Sequence, residues 1–145
     1  MIHGHVNYFA VLTAAIVSMA IGFVWYSRPV FGTLWWRIIG YDKLTRAEIE
    51  KMQKEIRPYF AVIFTASFMS AAVLARFIAW LGMGTLGGGL SVAFWAWLGF
   101  VFPLTLGNAL FGGKDRSLIW PMFLVQAVHE LFALLAAGAI LGAWQ

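Results

Sequence analysis

Glu130 and His129 are the residues of this sequence best suited to chemistry, because both lie inside a long apolar stretch near its carboxyl end. A carboxyl group can hold a cation or a proton, and an imidazole exchanges a proton near neutral pH. Gln126 precedes Glu130 by four residues, so a helix would place both side chains on one face. An acidic residue within an apolar span is by default a functional candidate. The sequence therefore predicts an internal polar site centred on Glu130.

Other apolar stretches contain further polar and aromatic residues that could contribute to this site. Helical rise puts Glu130 about 18 Å from the basic end of its segment, close to mid-membrane. The predicted intramembrane polar or ligand site consists of Glu130, His129, Gln126, Ser70, Arg76, Asn108, Trp95 and Trp97. Three interpretations are open: a structural ion-pair or hydrogen-bond cluster with Glu130 protonated, a proton-titrating site of a transporter or channel, and the polar end of a hydrophobic pocket. In the third, Trp95 or Trp97 stacks on the ligand.

Motifs for catalysis or metal binding are absent from the sequence. It contains no cysteine, which excludes disulfides, thiolate metal sites and cysteine nucleophiles. It contains no phosphate-binding loop, H-E-x-x-H or G-x-S-x-G, and one intramembrane glutamate lacks a second catalytic group. His3 and His5 are too few ligands for a closed metal site. We therefore predict a protein that is not an enzyme and has no catalytic residue, metal or cofactor.

The composition identifies the elements that must position the polar site. The chain is 62% hydrophobic and 11% charged, with a mean hydropathy of +0.82, whereas soluble domains average about 45–50% apolar and roughly 25% charged residues. Four stretches exceed the ~20 residues needed to cross a bilayer as a helix. We predict an all-α fold, a bundle of four transmembrane helices forming a single integral membrane domain over 1–145. The predicted spans are about 7–27, 58–82, 88–111 and 118–143.

A basic loop, 28–57, separates the first two spans and is expected on the cytoplasmic side. It holds seven of the ten basic residues: Arg28, Arg37, Lys43, Arg46, Lys51, Lys54 and Arg57. The loop 112–117 adds Lys114 and Arg116, whereas the opposite side has none. This asymmetry predicts a multi-pass protein of the bacterial inner membrane with both termini on the periplasmic side. Because the cations flank apolar spans, we expect them to contact anionic lipid headgroups rather than nucleic acid.

The basic loop itself has helical patterns. Phe31, Leu34, Trp35 and Ile38 recur at the spacing of a short surface helix. Thr45 and Glu48 form a capping-box signature, which predicts a helix from about Arg46. The cytoplasmic loop is therefore predicted to be amphipathic and helical.

Other patterns predict the shape and contacts of the spans. Pro103 should kink the third span. Small residues recur every fourth position in the first span, at Ala10, Ala14, Ser18 and Gly22, and in the second, at Ser67, Ala71, Ala75 and Ala79. Such ridges allow helices to approach closely in lipid, and we expect these two to pack within one chain. For the pair Gly138 and Gly142, internal packing and a dimer contact are both open.

Several short motifs occur along the chain: the W-Y-S motif Trp25-Tyr26-Ser27, followed by Phe31-Gly32 and Trp35, then W-L-G-F at 97–100, and the segment from Gly138 to Trp144. In these motifs the sequence resembles an uncharacterised bacterial family of small four-span membrane proteins. The resemblance covers most of the chain and implies a four-helix integral membrane fold. The family has a domain of unknown function, so the resemblance implies no catalytic residue.

Two functions remain open at this point. The first is a homo-oligomeric protein that handles an ion or a small molecule, by transport or binding, at the polar site around Glu130. Four spans are few for a transport pathway, and a second subunit would supply the missing wall. The second is an accessory or structural subunit packed on a larger membrane protein complex. In both, membrane lipids are partners of the chain.

Overall fold

The computed structural model describes residues 6–112 and 115–144, so His3, His5 and Lys114 lie outside the described part of the chain. Seven α-helices occur in these residues: α1 (Tyr8–Trp25), α2 (Thr33–Ile38), α3 (Arg46–Ile56), α4 (Tyr59–Trp80), α5 (Leu86–Ala96), α6 (Phe102–Gly112) and α7 (Ile119–Ala143). The described residues contain no strand. Four helices are long and apolar enough to cross a membrane: α1, α4, the combined Leu86–Gly112 and Arg116–Ala143. The predicted all-α fold with four spans is confirmed.

The third span consists of α5 and α6 joined by a π-helical turn, Trp97–Val101. In this turn the amide of Phe102 donates to the carbonyl of Trp97, five residues back. Pro103 follows directly and has no N–H to donate to the carbonyl of Gly99. The interruption predicted at Pro103 is therefore a widened turn just before the proline, a common feature of functional helices.

The two ends of the bundle differ in their contents. At one end, called here the terminal end, the Asn7 amide donates a 3.1 Å hydrogen bond to the carbonyl of Trp144. The turn between α4 and α5 also lies there. The opposite end, called the loop end, carries the segment 26–58 and the connection from α6 to α7.

Helix α7 is the central element, since it packs against α1, α4, α5 and α6. Its closest contact is with α5 and involves glycines on both helices. A Cβ on Gly138 would overlap the carbonyl oxygen of Gly89, and one on Gly142 would overlap that of Thr85. Without a hydrophobic driving force between helices in lipid, such close backbone contact is a main source of association. The Gly138–Gly142 pair thus packs within the chain.

The buried core is concentrated toward the terminal end. Small residues of the predicted ridges on α1 and α4 are fully or almost fully buried there: Ala10, Ala14, Ala71 and Ala75. They pack with large side chains such as Ile78 and Leu141. A second, smaller cluster at the loop end joins α6 to α7 through Ala109, Phe123 and Ala127. All four spans therefore meet in one half of the bundle, whereas toward the loop end α4 and α7 separate.

The outer surface of the spans is apolar. Large hydrophobic side chains remain strongly exposed along all four of them, for example Phe9, Leu104 and Phe111. A soluble monomer rarely exposes so much contiguous apolar surface. Together with the length and hydropathy of the helices, this surface indicates a multi-pass membrane protein.

The loop between α1 and α4 is helical, as predicted. After α1 the chain turns back on itself in a π-helical turn, where the Gly32 amide donates to the carbonyl of Ser27 at 2.9 Å. A Cβ on Gly32 would overlap the backbone of Tyr26 and Ser27, so this turn requires glycine. The turn stacks Phe31 on Trp25, with ring centroids 4.6 Å apart.

Helix α3 begins with the predicted capping box. Thr45 and Glu48 bond each other's backbone amides, and the hydrogen bonds from Thr45 lower the pKa of the exposed Glu48 carboxyl. All seven cations predicted to contact lipid headgroups are exposed. Arg28 also stacks over the Trp36 ring, 5.0 Å from its centroid.

We expect Gly138→Ala to destabilise the protein by about 1–3 kcal/mol, because the added methyl must push α7 away from α5. The matched control is Gly107→Ala, where an added Cβ meets nothing within 4 Å. That change removes a flexible residue from a helix and should be neutral or stabilising by up to about 1 kcal/mol. Thermal unfolding in mild detergent measures both. Equal melting temperatures for the two variants would contradict the role assigned to the glycine contact.

Candidate functional site

A cavity of about 630 Å³ lies where the spans separate toward the loop end. It is formed by α1, α4 and α7, with Val101 of the π-helical turn also contributing, and is here called the groove. Helix α1 packs against both α4 and α7, while α4 and α7 contact each other much less. The groove is thus the space between α4 and α7, with α1 behind it. Its lining residues are Ser18, Met19, Gly22, Phe23, Tyr26, Phe60, Ile63, Ala66, Ser67, Ser70, Ala71, Val101, His129, Glu130, Ala133, Leu134 and Ala137.

Two tryptophans hold α7 in place beside the groove. The indole of Trp25, the last residue of α1, donates a 3.0 Å hydrogen bond to the carbonyl of Val125. The indole of Trp97, in the π-helical turn, donates at 2.9 Å to the carbonyl of Ala127. Both acceptors lie within the helical turn that precedes His129 and Glu130. Two neighbouring spans thereby fix the position of α7 where it carries its polar residues.

His129 occupies a notch in α1 that exists because residue 22 is glycine. Its Nε2 lies 3.3 Å from the position that a Cβ on Gly22 would take. The imidazole packs against the ring of Tyr26, with centroids 5.1 Å apart, and that of Trp25 at 6.1 Å. Both ring nitrogens are buried and have no hydrogen-bond partner among the described residues. Such unsatisfied atoms are rare in folded proteins and point to a ligand, a water molecule or a proton at this site.

Glu130 supplies the carboxyl group of the groove. Its carboxylate oxygen Oε1 lies 3.5 Å from Nδ1 of His129, and its side chain is 46% exposed. Glu130 is near the middle of α7, but His129 beside it faces Gly22, only three residues before α1 ends at Trp25. The carboxyl group therefore lies near the loop-side end of α1, although it is near the middle of α7. The reason is that α7 begins several residues beyond the end of α1.

The structure brings together three of the eight residues predicted for the polar site: Glu130, His129 and Ser70 line the groove. The other five lie elsewhere. Trp97 fixes α7 through the hydrogen bond described above, and Trp95 is 65% exposed on the outer surface of the bundle. Gln126, although one turn before Glu130, does not line the groove.

Arg76 and Asn108 are also outside the groove, and both are exposed. Arg76 lies near the terminal end of α4 and has no ion-pair partner within the described part of the chain. Such a position allows its guanidinium to extend to the membrane surface. Arg76 forms no ion pair with Glu130 within the described residues.

Several groove residues were not predicted as part of the site, notably Ser18, Gly22, Tyr26 and Ser67. Three of them belong to the small-residue ridges, which the sequence analysis interpreted as packing surfaces alone. That interpretation holds for the buried alanines of the ridges. Toward the loop end the same faces line the groove, where Ser18 donates a 3.4 Å hydrogen bond to the carbonyl of Ala133. A serine or glycine at the end of a ridge is the sequence feature that could have indicated these groove residues.

A second cavity of about 420 Å³ lies at the loop end, between α2 and the start of α7. Arg37 and Lys43 line it together with Asp115 and apolar residues of both elements. The Asp115 carboxylate accepts hydrogen bonds from the Ser117 amide and hydroxyl at 2.9 and 2.7 Å. These bonds, with a smaller effect of Lys43, lower the pKa of Asp115. This cavity combines cationic and apolar groups beside the ends of the spans.

The described residues contain no cluster of three or more His, Asp or Glu side chains that could hold a metal ion. The chemistry available in the groove is therefore that of one carboxylate, one imidazole, several hydroxyls and apolar walls. Such a set can bind a cation, exchange a proton or anchor the polar end of a hydrophobic molecule.

Comparison with known proteins places the chain in one family. No curated protein and no solved structure matches it. A family model described as "Protein of unknown function (DUF1761)" matches residues 9–142, which include all four spans and the groove. The resemblance to a family of small four-span proteins with a domain of unknown function is thereby confirmed. The chain belongs to the DUF1761 family.

Proposed function

We propose that this membrane protein binds a small lipophilic molecule or ion in the groove and serves in its transport or retention. One observation carries the proposal: a cavity of about 630 Å³ between membrane-spanning helices ends on Glu130 and His129. Ligand sites typically occupy 300–1,000 Å³ and combine apolar walls with a few polar groups. The groove meets both criteria. Glu130 anchors the polar end of the ligand in this proposal.

The surroundings of the groove support entry from the hydrocarbon phase of the membrane. The loop-end half of α4 carries exposed apolar side chains, including Val62 and Ile63. Ile63 and Phe60 of the same helix line the groove. A molecule dissolved in the bilayer can therefore reach Glu130 by passing α4, without crossing a polar surface.

We further propose that the protein is a homo-oligomer. The groove is covered on three sides by α1, α4 and α7, while α6 packs mainly against α7 and the π-helical turn. A second copy placed against the exposed apolar face of α4, across the opening between α4 and α7, would supply the missing wall. The same exposed face also favours the alternative function, an accessory subunit whose α4 packs on a larger membrane complex.

For the orientation, we propose that the loop end faces the cytoplasm and contacts anionic lipid headgroups. The exposed cations of the loop support this, since basic residues are enriched on cytoplasmic loops. The cavity lined by Arg37 and Lys43 offers positive charge next to apolar side chains, which is suited to the headgroup region of a lipid.

The orientation predicts opposite labelling of two introduced cysteines. The chain has none of its own, so Gly84→Cys reports on the exposed turn between α4 and α5, and Lys51→Cys on α3. A membrane-impermeant maleimide added to intact cells should label the first and not the second. Both should be labelled after the cells are broken. Labelling of Lys51→Cys alone in intact cells would show the opposite orientation and contradict the proposal.

Filling the groove should remove its ligand. Ser70→Phe places an aromatic ring in the groove without changing Glu130, whereas Val73→Phe adds the same ring to an exposed part of α4 outside it. Native mass spectrometry of protein purified in mild detergent should show a non-covalently bound small molecule on the wild type and on Val73→Phe. We expect at least ten-fold lower occupancy in Ser70→Phe. Unchanged occupancy in that variant would place the ligand elsewhere.

The oligomer and the accessory subunit predict different masses. A homo-oligomer should have a protein mass that is a small multiple of 16.1 kDa once detergent is subtracted, and the mass should be the same when the chain is the only one overproduced. An accessory subunit should instead co-migrate with unrelated subunits on a native gel of membranes at natural expression levels. Light scattering with the native gel distinguishes the two, and a bare monomer in both measurements would contradict both.

A further inference from the structure

Glu130 has no Lys or Arg partner in the part of the chain that the structure describes. It is the one Asp, Glu, Lys or Arg among the residues that line the groove. Over residues 6–112 and 115–144, no Lys or Arg lies within 4.0 Å of its carboxylate, and His129 is its one ion-pair contact. Arg76, the cation on the neighbouring span, is exposed outside the groove. A bound cation would supply the counter-charge that an ionised carboxyl group needs among apolar side chains.

The aromatic walls of the groove also favour a cation. Phe23, Tyr26 and Phe60 line it together with Glu130, and the rings of Phe23 and Phe60 lie 5.5 Å apart. The face of an aromatic ring attracts a cation and repels an anion. A neutral ligand would leave the carboxylate without a compensating charge, and an anionic ligand would add repulsion to it. A cation satisfies both the carboxylate and the rings.

The apolar lining further restricts the class of cation. A small metal ion or a free ammonium ion would lose most of its hydration in the groove, and one carboxylate with a few hydroxyls could not replace it. An organic cation whose charge is spread over, or shielded by, apolar groups loses little hydration. Its hydrophobic part loses little when it leaves the apolar bilayer for the alanines, Leu134 and Ile63 of the lining.

We propose that the groove is selective for lipophilic organic cations, with Glu130 as the charge partner and Phe23, Tyr26 and Phe60 as the aromatic walls. This inference rests on the proposed function, since it assigns a ligand class to the same groove. It predicts that, between ligands of equal shape and hydrophobicity, the sign of the charge decides which one binds.

Tetraphenylphosphonium and tetraphenylborate test this inference because they have nearly the same size and shape and opposite charge. Calorimetric titration of each into the protein in mild detergent, with detergent alone as the blank, gives the affinities. We expect the wild type to bind the phosphonium at least ten-fold more tightly than the borate. Glu130→Gln should weaken phosphonium binding at least ten-fold and reduce the preference to less than three-fold. Glu55→Gln, on the exposed face of α3, should change neither.

The outcomes separate the inference from the proposed function. Equal affinity for both ions in the wild type, with both lost in Ser70→Phe, would overturn the cation selectivity and support the groove as a binding site. Phosphonium binding that is unchanged in Glu130→Gln, at an unchanged melting temperature, would also overturn it. No binding of the phosphonium to the wild type would overturn it as well. If, in that case, Ser70→Phe also retained the co-purified molecule, the proposed function would be contradicted together with the cation selectivity.

Discussion

Close contact between α5 and α7 at glycines is the interaction on which the rest of the bundle depends. In a bilayer, apolar helices gain little by leaving lipid for one another, so close packing and hydrogen bonds must hold them together. Gly89, Gly138 and Gly142 allow the two backbones to touch near the terminal end, and the alanine-rich core continues the contact to α1 and α4. Toward the loop end, α4 and α7 separate, and small residues of both helices, such as Ser67 and Ala133, line the groove. Small side chains therefore occur both where the helices touch and where they separate.

Local patterns made much of the fold predictable. Hydropathy and length indicated the four spans, Thr45 and Glu48 indicated the start of α3, and Pro103 indicated an interruption of the third span. The partner of each helix was not predictable, because the spacing of small residues does not identify the helix that packs against them. The Gly138–Gly142 pair is an example, since the same spacing fits an internal contact and a dimer. The form of the interruption at Pro103 depends likewise on how neighbouring spans hold Trp97.

Local sequence patterns also made the polar site partly predictable. A carboxylate in an apolar span is conspicuous in any sequence, and Glu130 and His129 do form the polar end of the groove. Its remaining walls depend on how far each helix is displaced along the membrane normal. Gly22 and Tyr26 were missed because α1 ends opposite the middle of α7. Trp95 was included because depth along a helix says nothing about which way a side chain points, and the structure places it on the outer surface.

The unequal lengths of α1 and α7 have a consequence for the surrounding lipid. With 18 and 25 residues, the two helices measure about 27 Å and about 37 Å at helical rise. A hydrocarbon layer of about 30 Å matches the first and is too thin for the second unless α7 tilts or the bilayer adapts locally. Because the mismatch is largest where α7 extends past Trp25, tilt of α7 or local thickening of the bilayer is expected beside the groove. Bilayer thickness then becomes a variable that sets how far Glu130 lies from the headgroups.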